Sequence, residues 1–113
     1  MTSTDRIDAV IVLTTIGSAE QAQVIARTLV AERLAACVNL LPEMTSVYRW
    51  EGGVQEDRER QLVIKTTREK IDALRERLHE LHTYDVPEFL VLSVENGSSA
   101  YLHWMSESTG ASS

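Results

Sequence analysis

Four side chains in this sequence carry a thiol or an imidazole, the groups that soft and borderline metal ions prefer, and His103 is expected to be a surface residue. Cys37 is the only cysteine, and its thiolate is a possible ligand for copper or zinc. His79 and His82 stand three residues apart near the end of a predicted helix, so their rings can share one side. No third ligand follows from this spacing. The structural alternative makes Cys37 a small buried hydrophobe and the histidines partners of the negative helix end.

Lys65 is a second kind of candidate, because it lies between apolar residues on a predicted central strand. A buried ammonium group requires an anionic partner. That partner is either a small anionic ligand or a carboxylate in an interfacial salt bridge, with Glu59 and Glu88 as the candidates. The run Glu56-Asp57-Arg58-Glu59-Arg60 alternates in sign, which favours a solvated strand edge over a site for hard cations.

Composition limits the classes of function. A chain of 113 residues with 43% hydrophobic and 25% charged residues predicts one globular domain. The net charge of −6 argues against nucleic acid or an anionic membrane as a partner. A single cysteine excludes an internal disulfide, and we expect a cytosolic location. No nucleophile elbow, Walker loop or dinucleotide glycine pattern is present, so we expect no enzyme activity.

Apolar periodicity predicts the order β-α-β-β-α-β followed by a short helix. The predicted elements are a strand over 8–15, a helix over 19–34 capped by Ser18, a strand over 36–50, a return strand over 54–66, a helix capped by Thr66 with Glu69 and ending near His82, a strand over 89–94, a short helix capped by Ser98 or Ser99, and a frayed tail over 106–113. Right-handed crossovers turn this order into a ferredoxin-like α+β sandwich, with an antiparallel sheet and both helices on one face.

The second strand is too long for a domain of this size. Fifteen extended residues at about 3.3 Å each span roughly 50 Å, whereas a globule of this length is about 35 Å across. The strand must therefore bend at Pro42 or protrude, and a turn at Gly52-Gly53 returns the chain. A protruding hairpin that carries Tyr48 and Trp50 suggests that another copy of the chain covers it.

Five motifs resemble the CutA divalent-cation tolerance family, and they span about residues 8–105 between polar tails. They are Ala-Glu-Arg-Leu-Ala-Ala-Cys-Val-Asn at 31–39, Ser-Val-Tyr-Arg-Trp-Glu-Gly at 46–52, Ile-Lys-Thr at 64–66, His-Thr-Tyr-Asp-Val-Pro-Glu at 82–88 and Tyr-Leu-His-Trp at 101–104. The resemblance implies one domain over 1–113, a tight homotrimer formed through long hairpins, a link to metal tolerance and structural kinship with PII-type signalling proteins.

The resemblance also implies two kinds of site. The copper site proposed in some members uses a cysteine at the end of the first strand and a His-His pair, and here these positions are Thr14 and Leu81-His82. His82 is therefore the predicted metal ligand, with Cys37 as a second possibility. An intersubunit cleft is expected to be lined by Lys65, Glu59, Trp50, Tyr84 and Glu88.

Three functions follow from these observations. The first is a cytosolic homotrimer in metal-ion response, which requires no cofactor but can take up copper or another divalent cation, with Val47, Tyr48 and Trp50 buried between subunits. The second is a PII-like sensor that binds a small anionic ligand through Lys65. The third is a structural trimer whose partner is another protein.

Overall fold

The computed structural model describes residues 7–110 and confirms the ferredoxin-like fold. The elements are β1 (Ala9–Ile16), α1 (Ala19–Ala31), β2 (Cys37–Leu40), β3 (Met44–Trp50), β4 (Gly53–Thr67), a 3-10 turn (Arg68–Lys70), α2 (Ile71–Leu81), β5 (Leu90–Ser93) and α3 (Ser99–Ser108). The sheet has the antiparallel order β2-β4-β1-β5, and β3 pairs with β4 alone.

The predicted long strand is interrupted at Pro42, yet both of its halves stay paired with β4. Leu40 lies opposite Leu62 and Met44 lies opposite Glu59, so three residues on one strand face two on the other. This arrangement is a bulge, and it accommodates a proline that has no N–H to donate to the ladder. Beyond the bulge, β3 and the first half of β4 continue as a two-stranded ribbon, so the molecule measures 53 × 25 × 23 Å.

The ribbon closes in a tight turn whose central residues are Glu51 and Gly52. Their φ angles are 50° and 81°, and Gly53 already pairs with Trp50. Two consecutive positive φ angles define the turn type that matches the twist of a two-residue hairpin. The predicted turn at Gly52-Gly53 is therefore displaced by one residue.

Two helix boundaries differ from the predictions. Helix α1 begins after the predicted cap Ser18, whose Oγ accepts from the Gln21 N–H at 3.2 Å, but it ends at Ala31. Arg33 takes a left-handed φ of 61°, which turns the chain before Leu34. The capping role predicted for Thr66 is wrong, because Thr66 is buried in β4 and its hydroxyl donates to the Leu34 carbonyl at 2.8 Å.

The third helix is longer than the sequence predicts. Ser98 caps it as expected, with its Oγ accepting from the Tyr101 N–H at 3.3 Å. The helix continues to Ser108, and the buried Thr109 hydroxyl donates to the Met105 carbonyl. The frayed tail predicted from residue 106 is therefore wrong as far as residue 110, and the rest of that prediction lies outside the described residues.

Helices cover one face of the sheet and leave most of the other face exposed, as the order of the elements predicts. Both long helices pack on the face that carries the fully buried core, which is formed mainly by Val10, Val12, Ile25, Leu29, Leu62, Ile64, Leu74 and Leu78. On the opposite face, α3 covers only one end by packing Met105 against Ala9 and Ala36. Leu90 and Leu92 remain 55% and 49% exposed on that face.

Candidate functional site

A cleft of about 660 Å³ lies at the base of the ribbon. Its walls come from the ribbon itself, the end of β1 and the loop that follows α2. Thirteen residues line it: Thr15, Met44, Ser46, Tyr48, Trp50, Asp57, Glu59, Gln61, Tyr84, Asp85, Val86, Pro87 and Glu88. The volume falls within the range of small-molecule sites.

Four of the five residues predicted to line a cleft come together here within one chain. Trp50, Glu59, Tyr84 and Glu88 all line it, although they come from β3, β4 and the loop after α2. Lys65 does not, because it lies six residues further along β4, opposite Ile11 and Cys37. Six extended residues cover about 20 Å. Within a protomer, Lys65 and the four cleft residues therefore belong to different regions of the sheet.

The pair formed by Glu59 and Tyr84 lies at the centre of the cleft. Glu59 is only 9% exposed, and its Oε1 accepts from the Tyr84 hydroxyl at 3.0 Å. Burial first, and then the hydrogen bond to the Glu59 carboxylate, together raise the pKa of Tyr84 to about 12. The phenol is therefore a neutral donor at physiological pH.

A glycine makes room for this tyrosine. A Cβ atom at Gly17 would lie 3.3 Å from the Tyr84 hydroxyl oxygen, closer than most real side-chain contacts. Gly17 follows β1 directly, and the sequence identifies it only as a residue that ends a strand. Its contribution to the cleft follows from tertiary contact alone.

A second tyrosine–carboxylate pair lies on the ribbon. The Tyr48 hydroxyl donates to the Asp57 carboxylate, and this hydrogen bond is the main reason that the pKa of Tyr48 is raised. Both tyrosines of the cleft thus donate their hydroxyl protons to carboxylates of β4. Both tyrosines line the cleft.

Gln61 fixes the loop that closes the far side of the cleft. Its Nε2 donates to the Glu88 carboxylate at 2.8 Å and to the Thr14 carbonyl at 2.9 Å. The side chain therefore ties the loop after α2 to β1. The sequence does not predict this role of Gln61, because its partners Thr14 and Glu88 are distant in sequence.

His82 serves the architecture of the cleft. Its Nε2 lies 2.7 Å from the Thr15 carbonyl, and its Nδ1 accepts from the Tyr84 N–H at 3.1 Å. These partners define a neutral ring that carries its proton on Nε2. The imidazole is buried and contacts the Tyr84 ring, with 4.6 Å between centroids. It holds the loop that presents Tyr84.

The residues present do not fit a copper centre. Both nitrogens of His82 are engaged, so the predicted ligand has no free lone pair in this conformation. Cys37 is half-buried on β2 opposite Lys65, whereas His82 contacts the far end of β1. Thr14, at the position of the family cysteine, is fully buried. Throughout residues 7–110, no three His, Cys, Asp or Glu side chains are grouped to hold a metal ion.

The three residues predicted to form the subunit interface all lie on the exposed ribbon: Val47, Tyr48 and Trp50. Val47 is 65% exposed in a single chain, and Val54 on the paired strand is similarly exposed.

Lys65 places its Nζ 5.9 Å from the centroid of the Tyr101 ring, and none of the carboxylates in the described part of the chain forms a salt bridge with it. The salt bridge predicted from Lys65 to Glu59 or Glu88 is interfacial, so it stays a prediction.

The fold and this cleft define a ferredoxin-like protein with an extended β-ribbon and a ligand-sized cleft at its base. A family model described as CutA1 divalent ion tolerance protein matches residues 10–108. The chain therefore belongs to the CutA1 divalent ion tolerance family.

Known proteins resemble this chain both in sequence and in structure. The divalent-cation tolerance protein CutA of Thermus thermophilus is 50% identical over 100 residues, which cover 88% of this chain and 97% of that protein. The chloroplastic protein CutA of Arabidopsis thaliana is 41% identical over 95% of this chain, but the match covers only 59% of its length. The crystal structure of CutA1 from Oryza sativa superposes with a TM-score of 0.89 at 40% identity, covering 92% of this chain and 95% of that one.

No helix within residues 7–110 is both long and apolar enough to cross a membrane.

Proposed function

We propose that this chain acts in the response to divalent metal ions as a non-catalytic, ligand-binding homotrimer of the cytosol. The description of its family supports the link to metal ions. The observation that supports ligand binding is the cleft, in which one buried carboxylate and three aromatic rings surround a space of about 660 Å³. Its two hydroxyl–carboxylate pairs are tyrosines whose pKa values are raised, so neither phenol is activated as a nucleophile, which supports binding rather than catalysis.

Assembly is proposed from the apolar surface that one chain leaves uncovered. The ribbon exposes Val47 and Val54, and the uncovered sheet face exposes Leu90 and Leu92. Exposed apolar patches are characteristic of interaction sites. We expect neighbouring copies to cover the ribbon and to bury Val47, Tyr48 and Trp50.

Trp50→Ala tests this assembly. The substitution removes a large apolar side chain from the ribbon, and buried tryptophans commonly dominate interface energies. We expect the trimer to dissociate at protein concentrations at least tenfold higher than for the unsubstituted chain. Val24→Ala, which truncates an exposed side chain on α1, is the control. Equal dissociation of both variants on dilution would contradict the proposal.

The metal response is proposed to operate without a resident copper ion on His82. Any cation uptake would then use exposed carboxylates, which bind hard cations weakly when they are not organised in a cage. Calorimetric titration with Cu(II) and Zn(II) tests this. We expect weak binding that His82→Ala leaves unchanged, and tight binding that His82→Ala abolishes would overturn the proposal.

The role in the cell is tested by deletion of the gene. We expect the deleted strain to grow more slowly in raised Cu(II) or Zn(II) and to recover with the unsubstituted gene. Glu59→Gln should restore growth less well, because it alters the cleft, whereas Glu20→Gln on α1 should restore it fully. Full rescue by Glu59→Gln would separate the metal response from the cleft.

An anion sensor is the second candidate, and Lys65 is the observation that favours it. Its ammonium group lies 5.9 Å from the centroid of the Tyr101 ring of α3, without a carboxylate partner among residues 7–110. A phosphate-bearing ligand beside Lys65 would supply the missing negative charge. A calorimetric panel of nucleotides against the unsubstituted chain and Lys65→Met tests this candidate.

A further inference from the structure

The loop between β5 and α3 contains Asn96, one of the two asparagines of the chain, followed directly by Gly97. The Gly97 N–H donates to the Asn96 Oδ1 at 2.7 Å, so the side-chain amide contacts the main-chain nitrogen of the next residue. We propose that Asn96 is a site of spontaneous modification, where attack by the Gly97 nitrogen converts the asparagine to aspartate and isoaspartate. Both reacting atoms belong to one chain, so a neighbouring copy supplies neither of them.

The modification is a substitution that changes no oxidation state. The Gly97 nitrogen forms a bond to Asn96 Cγ, and its proton leaves with the side-chain amide as ammonia. This step closes a five-membered succinimide ring. Water then opens the ring at one of its two carbonyl carbons, which gives aspartate or isoaspartate. One water is consumed and one ammonia is released, so water is the only co-reactant.

The observed hydrogen bond places the reacting atoms close together. Oδ1 is joined to Cγ by a bond of about 1.2 Å, so the Gly97 nitrogen lies no more than about 3.9 Å from Asn96 Cγ. Reacting atoms in near-attack conformers are about 3–3.5 Å apart. The same hydrogen bond polarises the carbonyl that is attacked, because it stabilises negative charge on the oxygen. The fold therefore holds the nucleophile beside its target.

The main chain at this position has the freedom to close the ring. Within the described chain, residues 94–98 belong to neither β5 nor α3, and the Gly97 N–H has no main-chain acceptor. Glycine has no Cβ to hinder the approach of its nitrogen. Asn39 provides a contrast, because it pairs with Val63 in β2 and is followed by the branched Leu40. We expect the strand to protect Asn39.

The isoaspartate product would alter the start of α3. Isoaspartate lengthens the main chain by one carbon directly before Gly97. A Cβ atom at Gly97 would lie 3.2 Å from Leu102 Cδ2, so this main chain already packs closely against the helix. Leu102 packs in turn on the cluster of Ala9, Ala36 and Met105. The added carbon must therefore shift Gly97 relative to Leu102 and loosen the first turn of α3.

Ageing of the purified full chain at neutral pH and physiological temperature tests the proposal. Peptide mapping by mass spectrometry, combined with enzymatic methylation of isoaspartate, measures the product at each asparagine. We expect Asn96 to convert in the folded protein at least as fast as in the same chain unfolded in guanidinium chloride, because the fold already holds the nitrogen against the amide. Asn39 should stay unmodified while the chain is folded. Slower conversion of Asn96 in the folded protein than in the unfolded chain would overturn the proposal.

Asn96→Gln is the matched variant for this assignment. Glutamine keeps the amide but must close a six-membered ring, so isoaspartate should fall by at least about tenfold. An unchanged amount of isoaspartate in Asn96→Gln would place the modification at another residue and overturn the assignment.

Hydrogen exchange tests the effect on α3. The Leu102 N–H donates to the Ser98 carbonyl at 3.0 Å, in the first turn of the helix. We expect this amide to exchange faster in the purified isoaspartate protein than in Asn96→Asp, which adds the same charge without lengthening the main chain. Equal exchange in the two proteins would overturn the effect on α3.

Discussion

The two halves of β4 have different surroundings although they form one continuous strand. From Arg60 to Thr67 the strand lies inside the sheet, with β1 on one side and β2 on the other for much of its length. From Gly53 to Glu59 it pairs only with β3 and has no helix beneath it. The inner half provides the core, whereas the outer half provides carboxylates and exposed apolar residues. A single strand thus connects the stable part of the fold with the surface that we propose for ligand binding and assembly.

The largest expected effect comes from truncating the inner half. Leu62 is fully buried in the main core, so Leu62→Ala should lower the free energy of unfolding by about 2–5 kcal/mol. Val54→Ala on the outer half should change protomer unfolding by less than about 0.5 kcal/mol, because Val54 is exposed in one chain. Urea denaturation of both variants measures the difference, at a dilution where assembly does not contribute. Similar losses for both would remove the distinction between the halves.

Substitution of His82 should give the next largest loss of unfolding free energy. Its side chain connects β1 to the loop that carries Tyr84 into the cleft. Replacing it by alanine removes two hydrogen bonds and leaves the Thr15 carbonyl and the Tyr84 N–H without their partner. We expect a loss of about 1–3 kcal/mol in the free energy of unfolding. His79→Ala is the control, because His79 is exposed and contacts only a carbonyl of its own helix. A loss in His82→Ala no greater than in His79→Ala would contradict the structural role.

A smaller effect is expected from alkaline titration of the cleft. The pKa of Tyr84 is raised from 10.0 to about 12 by burial and by Glu59, so the folded state favours the protonated phenol. The resulting stability is fully present below pH 10 and is lost as pH rises from 10 towards 12. Absorbance titration should show a late-ionising phase that loses one tyrosine in Tyr84→Phe, where Tyr48 is the remaining tyrosine with a raised pKa. An unchanged late phase in that variant would assign it to another tyrosine.

Gly17→Ala should produce the smallest change in stability, because the added methyl group only crowds the Tyr84 hydroxyl and removes no interaction. The added methyl group must displace the Tyr84 hydroxyl by a few tenths of an ångström and weaken its bond to Glu59. We expect the late ionisation to move to lower pH, with a loss of less than about 1 kcal/mol in unfolding free energy. Ala19 lies nearby at the start of α1 and is exposed, so Ala19→Ser is a suitable control.

The sequence predicts the inner half of β4 better than the outer half. Alternation of Leu62, Ile64 and Thr66 with Gln61, Val63 and Lys65 correctly separated the two faces of β4, because burial enforces a period of two, but it did not decide which face the helices cover. Ser18 and Ser98 were also identified correctly as helix caps, since capping depends on residues three positions apart.

The cleft was predictable only in part. The family motifs point to Trp50, Glu59, Tyr84 and Glu88, but they give no geometry, and Lys65 was grouped with residues about 20 Å away along the strand. Gly17 and Gln61 carry no local signal, because their partners Tyr84 and Glu88 are distant in sequence. Thr66 was misassigned as a helix cap because a buried strand residue can share the local pattern of a capping box.

The mass of the unsubstituted protein in solution tests most directly whether the outer half of β4 is shared between copies. Light scattering coupled to size-exclusion chromatography, repeated over a dilution series into the micromolar range, measures that mass. We predict a particle three times the 12.7 kDa of one chain, with the ribbon amides protected from hydrogen exchange. A folded 12.7 kDa protomer with a rapidly exchanging ribbon would contradict the account.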